Sequence, residues 1–136
     1  MSLFSSLMAS QEPGLLKWFD AGDAIADTLD QTNLTLDGAS QSLDLRKYFK
    51  FADGVNPILV LLRVSVKTTA TPGSALDFFK SGESGDYNIS QIIAQVNNIY
   101  VSADVWVPVV NGMIGYAGAS TLSTIDIVVG GYFALV

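Results

Sequence analysis

Residues 56–79 read NPILVLLRVSVKTTATPGSALDFF, and the fold turns on what this stretch is. It opens as a solid apolar run, admits Arg63, Ser65 and Lys67, and turns at Pro72-Gly73. A membrane helix needs about 18–20 uncharged apolar residues, and Arg63 and Lys67 interrupt the run well short of that. In an extended strand successive side chains point to opposite faces. Ile58, Val60, Leu62, Val64 and Val66 then share a face that is apolar throughout. Leu59, Leu61, Arg63, Ser65, Lys67 and Thr69 share the other, which changes from apolar to polar halfway along. The pattern predicts a strand with one face on a core and the other passing from cover into solvent.

Working outward, residues 33–136 carry further strand signals at 33–37, 42–49, 57–69, 74–80, 87–96, 99–109, 112–117 and 122–134. Turn clusters such as DGAS, TPGS, SGESGD, NG and AGAS separate them. In 99–109 the odd positions Ile99 to Val109 form one apolar face, and in the last segment Ile125, Ile127, Val129, Phe133 and Leu135 do the same. Gly130-Gly131, inside this otherwise strong strand, predicts a bulge or a close backbone approach. Ile89, Ile92, Ile93 and Val96 fit a helical face as well as a strand, with the strand preferred. About eight short strands with regular turns indicate an all-β, antiparallel, jelly-roll-like sandwich.

Residues 1–32 differ in texture and are expected to form an N-terminal arm or short helix outside the sandwich. Pro13-Gly14 breaks the chain, and Leu15, Leu16, Trp18 and Phe19 follow within a few residues as candidate docking anchors. Two uses of these anchors stay open: capping one end of the chain's own domain, or filling pockets on a partner. Asp20, Asp23, Asp27 and Asp30 recur at intervals of three and four, which reads as a solvated acidic stripe. Calcium loops instead place ligands at alternate positions around a sharp Gly turn.

The 136 residues suffice for one domain with a sizeable core. Hydrophobic residues make up 49%, while only 15% are charged, against about 25% in ordinary soluble chains. This shortage of charge suggests a surface partly covered by other subunits, and a homo-oligomer is expected. With no Cys and no His, disulfide frameworks, Cys/His metal sites and Ser-His-Asp catalysis are excluded. The net charge of −6 argues against nucleic acid as a partner. No segment is suited to crossing a membrane as a helix, and the N-terminus lacks the pattern of a secretory signal. No phosphate-binding glycine loop is present. Asp77, Glu83, Asp86, Asp104 and Asp126 are available for paired-acid chemistry, but turn and surface roles account for all five. No catalytic residue, cofactor or metal is expected. Tyr100, Trp106 and Tyr116 are a candidate face for subunit contact or sugar stacking.

Residues 42–79, SLDLRKYFKFADGVNPILVLLRVSVKTTATPGSALDFF, together with QVNNIYVSADVWVPV and the closing IDIVVGGYF, resemble small β-sandwich modules of tailed-bacteriophage virion proteins. The resemblance spans about residues 40–134 and rests on strand texture and turn placement. It implies a non-enzymatic virion structural protein on the outer surface of the particle, docked on other virion proteins such as the major capsid protein. A short chain without a fibrous stalk favours a capsid decoration (cement) protein, and because threefold symmetry would suit both decoration and fibre roles, a trimer is favoured. A head fibre, a tail-fibre adaptor or a carbohydrate-binding module of the tail is the alternative.

Overall fold

The computed structural model describes residues 15–21, 29–83 and 89–136. Nine strands occur among them: β1 (Leu16–Asp20), β2 (Leu29–Asp30), β3 (Gln41–Asp44), β4 (Asn56–Thr68), β5 (Ser74–Phe79), β6 (Ser90–Ala94), β7 (Val101–Pro108), β8 (Met113–Gly118) and β9 (Leu122–Leu135). They form two antiparallel sheets. One runs β1-β9-β4-β7, with β2 also on β9, and the other runs β3-β8-β5-β6. If β1 and β2 count as one interrupted strand, the sheet orders become first–eighth–third–sixth and second–seventh–fourth–fifth. That is a long hairpin of four strand pairs rolled up into two sheets, the jelly-roll arrangement.

The 56–79 stretch supplies the centre of the first sheet. β4 lies between β7 and β9. Val60, Leu62, Val64 and Val66 are buried against Leu76, Phe78, Ile92 and Ile114 of the other sheet, while Arg63 is exposed. The face assignment made from parity holds for these residues. β6 settles the ambiguous 87–96 segment as strand over 90–94.

Three strand expectations shift, each for a local reason. Residues 33–37 are not a strand. The Asp30 carboxylate accepts from the Thr32 N–H, and the Asn33 side chain accepts from the Asp30 N–H, so a 3-10 turn forms over Gln31–Asn33. Short polar side chains here compete with sheet pairing for the backbone. The 42–49 strand stops at Asp44, whose carboxylate accepts from the Arg46 N–H and starts a 3-10 turn over Leu45–Lys47. Ile99 lies before β7 and is exposed rather than part of its apolar face.

Residues 1–32 divide between what is described and what is not. Leu16–Asp20 is extended and pairs with Leu135–Gly131 of β9; Leu29–Asp30 pairs with the same strand further along. The sequence boundary at 32/33 therefore does not mark a break in the sheet. Asp23 and Asp27 lie outside the described residues, as do Asp86 and the start of the expected 87–96 strand.

The Gly130-Gly131 expectation is met by a β-bulge. Leu61 is opposite Gly131 and Leu62 is opposite Val129, which leaves Gly130 as an extra residue on β9. One inserted residue transfers every following side chain to the other face. Ile125, Ile127 and Val129 face the core, and beyond the bulge the core side is taken by Tyr132 and Ala134. Phe133 and Leu135, expected on the core face, lie on the outer one. This inversion creates the candidate site.

Candidate functional site: an aromatic face on the outside of the first sheet

Trp18 of β1 lies opposite Phe133 of β9, Phe133 opposite Leu59 of β4, and Leu61 of β4 opposite Trp106 of β7. Three aromatic rings from three strands therefore meet over the apolar half of β4. Ring centroids are 5.0 Å apart for Trp18–Phe133, 5.8 Å for Trp18–Trp106 and 6.0 Å for Trp106–Phe133. These separations fall in the range of favourable aromatic pairs. Trp18 and Trp106 nevertheless remain 38% and 41% exposed, and Leu16 beside them is exposed too. This cluster is the cover under which Leu59 and Leu61 lie, and it explains why the outer face of β4 becomes polar only from Arg63 onward.

The polar half of the face is self-satisfied. Arg63 approaches Asp104 at 3.9 Å, the Ser65 and Ser102 hydroxyls are hydrogen-bonded at 2.6 Å, and Lys67 sits over the Tyr100 ring at 4.9 Å. Long ion pairs of this exposed kind contribute little stability. They frame the aromatic half with groups that keep their own partners.

The predicted anchors separate onto two faces. Leu16 and Trp18 are on the outer face. Phe19 points the other way and stacks on Tyr132 at 5.1 Å, next to Phe49 and Phe51. The Tyr132 hydroxyl accepts from the Ala52 N–H at 2.7 Å. Leu15 is half-buried, and its carbonyl accepts from the Val136 N–H. This part of the arm is thus laid on its own domain, yet it contributes one of the three rings of an exposed aromatic patch.

Of the face expected from Tyr100, Trp106 and Tyr116, the structure brings two to the same side of the first sheet. Tyr100 is six residues from Trp106, about 20 Å along an extended strand. Tyr116 belongs to the second sheet and is buried in the core, where its hydroxyl accepts from the Thr35 N–H at 2.8 Å. Trp106 instead finds Trp18 and Phe133. Trp18 lies in the stretch that the sequence sets apart as an arm, and strict alternation across the bulge points Phe133 inward.

The described carboxylates do not converge. Asp77 lies on the outer side of the second sheet and accepts from the Gln91 amide, while Asp104 and Asp126 belong to the first. Among the described residues no three His, Cys, Asp or Glu are grouped to hold a metal. A cleft of about 590 Å³ opens at one end of the sandwich, lined by Arg46, Phe49, Lys50, Phe51, Asn56 and Asn111 among others. Its cations are already engaged, Arg46 with Asp44 at 2.9 Å and Lys50 with Asp53 at 4.0 Å.

No family model and no curated protein matches the chain. Among solved structures, it is similar to a subunit of the endospore appendages of Bacillus, described as a novel family of disulfide-linked pili. The identity is 12% and the TM-score 0.41, over 93% of this chain and 90% of that one. At that score the likeness carries no argument about fold or function.

Proposed function

We propose that this chain is a non-enzymatic structural module of a tailed-bacteriophage virion, a capsid decoration protein held on a neighbouring virion protein by its Trp18–Trp106–Phe133 face. The observation that carries the docking reading is that face. Two tryptophans and a phenylalanine are gathered from three strands into one exposed patch, and an apolar cluster with a polar border is what a protein partner covers. The low charge of the chain supports the same reading. The phage assignment rests on the resemblance across residues 40–134, and it implies a location on the outside of the particle.

Sugar stacking by the same face is the second reading, favoured by the exposure of both tryptophans. It is the weaker of the two. Trp18 is tilted 58° to Trp106 and 61° to Phe133, so only Trp106 and Phe133, at 26°, come near a common orientation, and the three rings do not form one flat platform.

The test is incorporation. A tagged chain expressed during phage growth should co-purify with particles, and Trp18→Ser combined with Trp106→Ser should abolish co-purification while the β spectrum is retained. Unchanged incorporation of the double variant overturns the docking role. Absence of the wild-type chain from particles overturns the virion assignment, and retention on a glycan matrix in place of particles selects the second reading.

A further inference from the structure

The second sheet ends at β6, which pairs with β5 on one side. No described strand pairs with its other edge. Alternate N–H and C=O groups of an edge strand point outward and offer a template for another strand. Natural proteins guard such edges with Lys, Pro, charge or brevity. The remaining edges here are guarded. β7 carries Asp104 and Pro108, β1 carries Lys17 and Asp20, β3 ends at Asp44 clasping Arg46, and β2 is two residues long. β6 is not. From Tyr87 to Ala103 the chain holds no charged residue and no proline. Around the strand Ile89, Val96, Ile99 and Tyr100 are all exposed.

We propose that β6 is a self-association edge that pairs antiparallel with β6 of a second copy across a two-fold axis. Only 15% of residues are charged, against about 25% in ordinary soluble chains, which calls for a surface partly covered by other copies. Each chain carries a net charge of −6, so two copies repel wherever acidic surfaces meet, and the uncharged 87–103 segment is where they approach at least cost. Pairing of identical strands brings no like charges opposite one another. Within the strand Ile92 and Ala94 already face the core, and Gln91 and Ile93 face outward. Antiparallel addition preserves this alternation and joins two four-stranded sheets into one of eight strands. The exposed Ile89, Val96, Ile99 and Tyr100 then flank the seam. This edge belongs to the sheet opposite the aromatic face, so the pair forms with that face still free, and the inference stands whether or not the chain is a virion protein. It points to two-fold symmetry rather than the three-fold that would suit a decoration or fibre role.

Sedimentation equilibrium of the full chain at micromolar concentration tests it. The wild type should run at twice the monomer mass. Ile93→Lys, which sets like charges beside each other at the seam, should halve that mass with an unchanged far-ultraviolet spectrum. Ser42→Lys on β3 should leave the dimer intact. Because the chain has no Cys, single-cysteine variants give a readout that does not depend on how Ile93→Lys folds. Gln91→Cys and Ile93→Cys, alone or mixed, should form covalent dimers on mild oxidation, and Ser42→Cys should not. A monomeric wild type, a dimer that survives Ile93→Lys, or crosslinking at Ser42→Cys in place of β6 each overturns the proposal, the first also when another protein's strand is what occupies the edge.

Discussion

Trp18 lies directly against Gly131. A Cβ added at Gly131 would collide with the six-membered ring of the indole and come within 2.9 Å of the Phe19 carbonyl oxygen. The glycine is thus required by close approach. Backbone freedom is not the reason, since its φ is ordinary, unlike Gly112 with a φ of 77° in the Asn111-Gly112 turn between β7 and β8. The bulge at Gly130 turns Phe133 outward, and bare Gly131 leaves room for Trp18 to cross over and reach it. The aromatic face depends on both glycines.

Gly131→Ala should therefore displace Trp18 and loosen β1 from β9. We expect a loss of about 1–3 kcal/mol from overpacking, together with a red-shifted tryptophan emission. Chemical unfolding followed by fluorescence measures both. An unshifted spectrum with wild-type stability would contradict the close packing.

The two faces of β4 should respond unequally to truncation. Leu62→Ala removes a fully buried side chain and should cost about 2–5 kcal/mol. Lys67→Ala removes a partly exposed cation above the Tyr100 ring, an interaction worth about 0.5–1 kcal/mol at exposed sites. Comparable losses from the two would mean the faces are misassigned.

The arm should not be separable from the domain. Removing residues 1–20 strips β1 and bares Phe133 and Tyr132, so the sandwich should stay folded with a lower midpoint in urea. Removing residues 1–30 also takes Leu29, which is buried in the core, and by itself should cost about 2–5 kcal/mol more. Equal stability of the two truncations would detach Leu29 from the core.

Acid should weaken the start of the 3-10 turn after β3. The hydrogen bond from the Arg46 guanidinium holds the Asp44 carboxyl below the usual carboxylate range, with the Arg46 N–H and the charges of Arg46 and Lys47 adding to it against partial desolvation. A lowered folded pKa means that the unfolded chain binds protons first. The stabilisation is present above the unfolded value of about 3.9 and is lost as pH falls through the folded value. Asp44→Asn should remove this component, so thermal midpoints of variant and wild type should converge as the solution is acidified below that value. Midpoints that diverge on acidification would reverse the sign.

Parity along Ile58–Val66 was enough to find the central strand, because the two-residue period of a strand is strict when one face is buried. Turn chemistry found most of the others. The face took more than parity. Counting by twos runs straight through Gly130 and points Phe133 inward, although the glycine pair itself marks the bulge. Trp18 and Trp106 are 88 positions apart, and nothing local links them. Tyr116 was grouped with Trp106 by type alone, while the topology sends them to different sheets. The strands lost at 33–37 and 45–49 were lost to Asp30 and Asp44, whose carboxylates captured backbone N–H groups that a ladder would have used.

The chain contains two tryptophans, Trp18 and Trp106, and both lie in the proposed docking face. In the free chain tryptophan emission, read with acrylamide quenching, therefore reports on that face alone; with both tryptophans replaced biosynthetically by selectively excited 5-hydroxytryptophan, comparing the free chain with the labelled chain on unlabelled particles is the most direct test. On the particle the emission should move to shorter wavelength and quenching should fall several-fold. Emission and quenching that are the same in both states would show that the face stays in water, and would contradict the account.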